Sequence, residues 1–434
     1  MVSPNAQAVA TEKREVGDGH GRTSSTLGAA FNVFCAVVGT GLLQVSYGAA
    51  QTGWIGVAML IVMGVMACYT AVVLIRCIDL ADQIQQSSAV DGVEKIEARK
   101  GVCVETYGDI GEAACGKSAR LFVDVQNHLT LVMVGTIYNL LGGLNLATIA
   151  PEEWEWMTVD VAIALTSSVM WFHVFLKTMG EVGLVSAFNA AATLTLAIVV
   201  IMESLRHPPV ERSHTSIVVP DLMKLGGGFA SFAMAYGVHN VLPTIYGTMK
   251  SPREYEPMIK STFVAIVAVT LPVMCVGYAV YGDAVCSPIY KTADLARSPM
   301  VRVMILLITL HLVGAYAIVL NPTELAVESA FRVEHRRCQL LWRICLRTMV
   351  VLFTCGTSML LKAHFPPFLE LTAAVTVTST VFVLPCIFYA RLSQMAGTPL
   401  SMLELAWNAL IIAVAILGAG FGVICAVQDL TKAL

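Results

Sequence analysis

Charge is what this chain has least of. Only 13% of its 434 residues are Asp, Glu, Lys or Arg, against about 25% in a soluble domain. The hydrophobic share is 56% and the mean hydropathy +0.73, which excludes a soluble globular protein and implies a polytopic membrane protein. The net charge of −3 leaves no basic surplus for a nucleic-acid partner. The twelve cysteines are scattered without a CxxC pair, and only Cys286 falls in a loop expected outside, so no disulfide framework is expected. The first 26 residues have no apolar core ahead of a small-residue cleavage site, so they are not a signal peptide. With Lys13, Arg14 and Arg22 they read as a cytoplasmic tail. The nine histidines are dispersed, and neither an HExxH nor a P-loop pattern is present. An enzyme would need a clustered constellation; no catalytic residue, metal or cofactor is expected.

What is present is a set of long apolar runs, two of them interrupted. Residues 31–54, FNVFCAVVGTGLLQVSYGAAQTGW, are long enough to cross a bilayer, yet carry Gly39-Thr40-Gly41 at their middle. Each glycine weakens a helix by roughly 1 kcal/mol, and backbone unwound in lipid must find partners or line a cavity. Residues 225–249, LGGGFASFAMAYGVHNVLPTIYGTM, carry Gly237, His239, Asn240 and Pro243 near theirs. A pair of interrupted helices in corresponding halves is the best sequence pointer to a transporter's substrate site. Close packing of small residues is the plain alternative for either break.

Residues 27–75 hold no charge and are too long for one crossing of a core about 30 Å thick. Gln51-Thr52-Gly53 divides them into spans one and two. A polar segment from Cys77 to Arg120 reads as a solvated loop. Span three runs from about Leu121 to Leu146, span four from Val159 to Leu176, and span five from Val182 to Met202. After the broken sixth, span seven covers Ser261–Gly282. Span eight covers Val303 to about Leu320 and is expected to end at Asn321-Pro322, since a residue before proline avoids the helical region. Span nine is about Leu346–Leu361, span ten Leu371–Ala390 and span eleven Leu405–Gln428.

Placing the N-terminus in the cytoplasm puts most of the Lys and Arg inside, including Lys250, Arg253 and Lys260 and the group Arg332, Arg336, Arg337, Arg343 and Arg347. The loop at 147–158 has no basic residue, and its Trp154 and Trp156 suit an outer interface. The breaks fall in spans one and six. A unit of five spans is odd, so a second copy enters the membrane upside down. The expected organisation is a cytoplasmic tail (1–26), a first five-helix repeat (27–203), an extracellular or lumenal loop (204–224), an inverted second repeat (225–390), and an added eleventh helix with a short C-terminus (391–434).

Five patches in order resemble the amino acid/auxin permease family, especially its plant-type amino acid permeases. They are VGTGLLQVSYGAAQTGW at 38–54, TYGDIGEAACG at 106–116, AYGVHNVLPTIYGTMKSP at 235–252, His311-Leu312-Val313-Gly314-Ala315-Tyr316 with Pro322 and Glu328 downstream, and Phe365-Pro366-Pro367-Phe368-Leu369-Glu370. The stretch Cys77–Lys100 departs from that pattern. The resemblance implies an all-α LeuT-like fold, a 5+5 inverted repeat with helices one and six broken plus one extra helix, and secondary active transport of amino acids, usually driven by protons.

Amides freed at Gly39, Thr40, Gly41 and Leu42, beside a half-helix N-terminus, suit a substrate carboxylate. Ala235, Tyr236, Gly237 and Val238 form the facing break, whose carbonyls suit the ammonium; Tyr236 as a packed aromatic is the alternative. Tyr138 on span three is a candidate for the carboxylate by analogy with the fold. His239 and His311 are the imidazoles deepest in spans, His311 roughly 12 Å in at helical rise. Ionisable groups at such depth are functional candidates, and histidine titrates near neutral pH, so both are proton-coupling candidates. Asp124 and His128 share a face near the cytoplasmic end and read as a solvated pair. Glu370 reads as an outer-end residue. Sodium is disfavoured as coupling ion because Thr309 is the one Ser or Thr between Val303 and Leu320. The functional expectation is a proton-coupled amino acid symporter. A receptor of the same fold that senses amino acids, or a carrier of auxin-like or other small carboxylates, is the alternative. The plasma membrane is the expected location, with the vacuole or another endomembrane as the alternative; the oligomeric state and the particular amino acid stay open.

Overall fold

The computed structural model describes residues 22–90, 104–175, 182–206, 208–209, 214–292 and 295–432. The expected tail lies outside them apart from its last few residues, as do parts of the loops at 91–103 and 204–224. The described residues are helical, joined by turns. Span one is α1 (Thr26–Val38) and α2 (Val45–Thr52), separated by a tight turn at Thr40–Leu43. Span two is α3 (Ile55–Val90). A short α4 (Tyr107–Cys115) leads to span three, α5 (Lys117–Ile149). Spans four and five are α6 (Val159–Trp171) and α7 (Val182–Arg206). Span six is α8 (Leu222–Met234) and α9 (Leu242–Thr248). Spans seven to nine are α10 (Tyr255–Tyr281), α11 (Pro299–Ala330) and α12 (Gln339–Leu360). Span ten is α13 (Phe365–Thr372) and α14 (Leu384–Met395), joined through two π-helical stretches, and span eleven is α15 (Met402–Lys432). Eight of these spans are long and apolar enough to cross a membrane by themselves. The other three are the shorter apolar segment Val159–Phe175, α7, and the interrupted pair α8 and α9.

Local chemistry sets many of the helix ends. Ser25 caps α1 by accepting from the Gly28 amide, and Asp221 caps α8 by accepting from Met223 and Lys224. Thr106 and Asp109 form a reciprocal capping box on α4. Several boundaries differ from the expectation. The polar stretch after Cys77 is not loop at first: α3 continues to Val90, with Cys77, Ile78 and Ala81 buried along one face. Its polar residues lie on the other face, so average polarity hid an amphipathic helix. Pro322 does not end span eight; α11 runs on to Ala330 with the proline inside. A proline there costs about 3 kcal/mol, offset by what the following turns reach. Glu324 accepts from His173, and Glu328 accepts from Arg343 and Arg347 at 3.0 and 2.7 Å, Arg347 being 2% exposed. The same arginines draw the start of span nine back to Gln339. Span ten starts at Phe365, with prolines in its first turn where no amide partner is needed.

The packing repeats itself between halves. Span one touches five as six touches ten; one touches seven as six touches two; five touches seven as ten touches two. Likewise five touches eight as ten touches three, and three touches nine as eight touches four. Renumbering by five turns each of these contacts into its counterpart, which a two-fold relation between spans 1–5 and 6–10 requires. Span eleven lies outside this scheme. It packs on α8 and on span ten, with the backbone at Phe421 and Gly422 only 2.5 Å from where a Cβ on Gly226 would sit.

Small residues and buried hydroxyls hold spans three, four, eight and nine together, as expected where lipid supplies no hydrophobic drive between helices. Gly143 leaves room for the Ile163 backbone, and Gly135 for Leu320. Asn139 donates to Ser167 at 2.8 Å, Asn145 to Thr309 at 3.0 Å, and Tyr316 pairs with Thr354 at 2.7 Å. The bundle has two faces. On the near face, where α1 begins, the Ser24 amide donates to the Thr248 carbonyl, the Lys250 amide donates to the Ser24 carbonyl, and Arg76 pairs with Glu256. On the far face Trp154 and Trp156 stack with both rings about half exposed, and the 214–219 segment ties down Thr52, Trp54 and Ile55.

Candidate functional site: two broken helices that meet

Both breaks are real and they touch. At the first, Val38 ends α1, Gly39 takes φ −64° and ψ −108°, outside any regular helix, and Thr40–Leu43 winds tightly before Gln44 opens α2. At the second, α8 ends at Met234. Ala235, Tyr236, Gly237 and Val238 carry the chain through irregular turns, and a tight turn at His239–Val241 leads into α9. A Cβ on Gly41 would lie 2.6 Å from Ala235 Cα and 3.2 Å from its nitrogen. Glycine is therefore required at 41 by close backbone approach. Leu42, Ala235 and Val238 are buried around this contact, and Val377, from the first π stretch of span ten, closes on Gly237. π-helical turns recur at functional sites, and here they place span ten against the second break.

Two expected groups face this centre differently. His311 Nε2 lies 3.9 Å from where a Cβ on Gly39 would be, so span eight sets an imidazole beside the first break. Its Nδ1 is buried without a partner among the described residues. His239 turns away: its Nε2 lies 3.0 Å from Thr70 Oγ1 on α3. That hydroxyl already donates to the carbonyls of Met66 or Ala67, so Nε2 is the ring's donor. Tyr236 also points outward. Its hydroxyl donates to the Leu60 carbonyl at 2.8 Å, and its ring stacks on Phe263. Tyr138 is partly buried on α5, and no described hydrogen bond joins it to either break. Asp124 and His128 do not pair with each other; Asp124 sits by Arg120 and His128 by Thr323.

The sequence reading missed a buried polar chain between the centre and the far face. Ser287, in the turn after span seven, donates to Gln44 Oε1 at 2.8 Å. Gln44 Nε2 donates to Ser231 at 3.2 Å, and Ser231 donates to Glu370 Oε1 at 3.3 Å. Gln51 Nε2 donates to the same oxygen at 2.8 Å. Glu370 stands near the far end of span ten, and there it is buried, 1% exposed. The signal available was the spacing of Gln44 and Gln51, two turns apart on an otherwise apolar run.

A helix bundle of two five-span halves, each opening with a helix broken at mid-depth and the two breaks in contact, is the architecture of the inverted-repeat transporter folds. The same arrangement is found in solved structures. MhsT, crystallised in complex with L-phenylalanine, superposes with a TM-score of 0.55 at 13% identity, covering 94% of this chain and 100% of that one. Mhp1, a nucleobase-cation-symport-1 family transporter, gives 0.52 at 10% identity over 94% and 91%. These likenesses establish the LeuT-type fold.

The family model described as transmembrane amino acid transporter protein matches residues 22–428, and the chain belongs to that family. Among curated relatives it is 24% identical to amino acid transporter AVT1I of Arabidopsis thaliana, over 85% of this chain and 87% of that one. It is 26% identical to lysine histidine transporter-like 3 of the same plant, over 84% and 81%.

Proposed function

We propose that the protein is a proton-coupled amino acid symporter that works by alternating access, with its near face in the cytoplasm and the plasma membrane as its site. The amino acid rests at the two breaks. Amides of Gly39, Thr40, Gly41 and Leu42 receive the carboxylate, where the positive end of a half-helix dipole favours it. Carbonyls freed at Ala235–Val238 receive the ammonium. The side chain of the substrate then lies toward Val238, Val377 and the π stretches. Tyr236 and Tyr138 serve this centre by packing.

The observation that carries the reading is the contact of Gly41 with Ala235 next to the His311 imidazole. Substrate, first break and proton-binding group then meet within one side-chain length, as coupling requires. The choice of protons over sodium is supported by the hydroxyl supply of span eight up to Leu320; Thr323 and Ser329 lie on its continuation, Thr323 beside His128. Thr309 donates to the Ile305 carbonyl and accepts from Asn145, so its oxygen is engaged away from the break. A potential of 100 mV is worth about 2.3 kcal/mol per charge, or roughly 50-fold accumulation for one proton.

Purified protein in liposomes tests this. Counterflow across a panel of labelled amino acids should reveal exchange, and an inward acid gradient should drive accumulation without sodium. The variant His311→Asn should keep counterflow and lose the response to the gradient. Accumulation that needs sodium and ignores the gradient, or counterflow by no amino acid, would overturn the proposal.

A further inference from the structure

We propose that Glu370 carries a proton in this arrangement and that, paired with Gln51 as an acid and an amide, it latches the far side of the transport site. The inference rests on the symporter reading for its place in the cycle, but the protonation itself stands on hydrogen-bond geometry.

Glu370 receives two donors, Gln51 Nε2 and Ser231 Oγ, and both fall on Oε1. The chain Ser287–Gln44–Ser231 runs in one direction only, each hydroxyl or amide donating onward, and ends on that same oxygen. Glu370 Oε2 and Gln51 Oε1 both turn toward the bare face of Gly227. A Cβ there would meet the amide oxygen at 2.4 Å and the carboxyl oxygen at 3.1 Å. Gln51 Oε1 is buried with no donor among the described residues. An ionised Glu370 would set a second unprotonated oxygen beside it. A proton on Oε2 would supply the donor that Gln51 Oε1 lacks, so that acid and amide each donate to the other.

Charge points the same way. Tyr47 from α2, and Cys425 and Asp429 from α15, are the titratable groups whose fields interact with Glu370. Among the described residues Asp429 is the one charged group acting on it, and Asp429 is itself an anion paired with Lys432. No described cation offsets a carboxylate here. A buried carboxylate is costly even when hydrogen-bonded, unless a counter-ion pairs with it.

The position makes this proton consequential. Gln51 ends α2, Ser231 lies on α8 and Glu370 on α13. These are the far-side halves of spans one and six and the far end of span ten. Any path from the centre to the far face has to part α2 and α8 from α13, and that breaks the pair. Glu370 then meets water and releases its proton. Reclosure takes one up, so the site binds a proton on closing from the side that the symporter reading places outside.

Infrared difference spectroscopy of the protein in liposomes, with and without Glu370→Gln, tests the protonation. Wild type should show the carbonyl stretch of a protonated carboxyl at neutral pH, and E370Q should lack it. In Gln51→Leu the band should persist and move to higher frequency, because the acid loses its amide partner. This measurement does not depend on which substrate is carried. In uptake, E370Q should lose at least tenfold in gradient-driven accumulation, and Glu370→Asp should recover part of it. A band at neutral pH that is absent in wild type, or unchanged by E370Q, would overturn the inference. So would E370Q accumulation equal to wild type. Failure of wild type itself to respond to the gradient, with the band intact, would refute the symporter reading and not the protonated latch.

Discussion

The contact between the two breaks is open to a direct perturbation. Gly41→Ala adds one methyl group, and its carbon would sit 2.6 Å from Ala235 Cα. Carbon atoms at rest stay nearer 3.5–4.0 Å apart. The obstacle is backbone, so no side chain can swing aside; α2 and the Ala235 turn must separate. Overpacking of this kind costs about 1–3 kcal/mol. That cost falls on the state in which the breaks touch, and it lowers the population of that state by about 5- to 150-fold. Uptake by Gly41→Ala should therefore fall by at least fivefold, and Gly41→Val should abolish it, at equal amounts of protein in the membrane. Gly314→Ala is the control. It adds the same methyl on span eight, three residues from His311, where nothing lies within 4 Å, and uptake should stay within twofold of wild type. Initial rates in liposomes, normalised to reconstituted protein, decide the matter. Gly41→Ala with wild-type rates would mean that the contact is not part of the cycle.

Other outcomes follow from the same reasoning. Arg347→Leu removes the cation shared by Glu324 and Glu328, buried at 1% and 6% exposure, leaving His173 on one and Arg343 on the other. Breaking a buried pair in this way costs about 3–5 kcal/mol, so thermal denaturation in detergent should move sharply down. Tyr236→Phe removes only the bond to the Leu60 carbonyl. It should cost about 1 kcal/mol of stability and leave the ranking of amino acids in counterflow unchanged. Tyr107→Phe frees the Thr380 carbonyl in the second π stretch, which now accepts from Tyr107 at 2.7 Å. Its expected effect is a similar loss of stability together with a slower transport rate, since that stretch abuts the centre.

How much could be read from the chain beforehand depended on whether the signal was local. The breaks announced themselves, because glycine at 39 and 41 and glycine and proline at 237 and 243 weaken a helix wherever they stand. The odd number of spans per half, and so the inversion, followed from hydropathy and counting. Pro322 misled because its penalty is local while its compensation, Glu324 and Glu328 against His173 and Arg347, comes from two other spans, four and nine. The burial of Glu370 was hidden for the same reason: the residue stands near a span end, and its burial is created by Gln51 and Ser231, hundreds and more than a hundred positions away. The approach of His311 to Gly39 likewise exists only after folding. The two histidines looked alike in the sequence, and their different surroundings follow from which side of its helix each one occupies.

The interchangeability of the halves has a mechanical consequence. If each half can take up the shape its counterpart now holds, every neighbour relation survives and only the identities of the partners swap. The molecule then has a second arrangement built from the same joints, with the opening transferred to the opposite surface. A hinge need not be invented for that exchange; it is already present twice, once at Gly39–Gly41 and once at Ala235–Val238. Span eleven has no counterpart in the swap. Its tight seating on Gly226 means that whatever the sixth span does, the eleventh must travel with it.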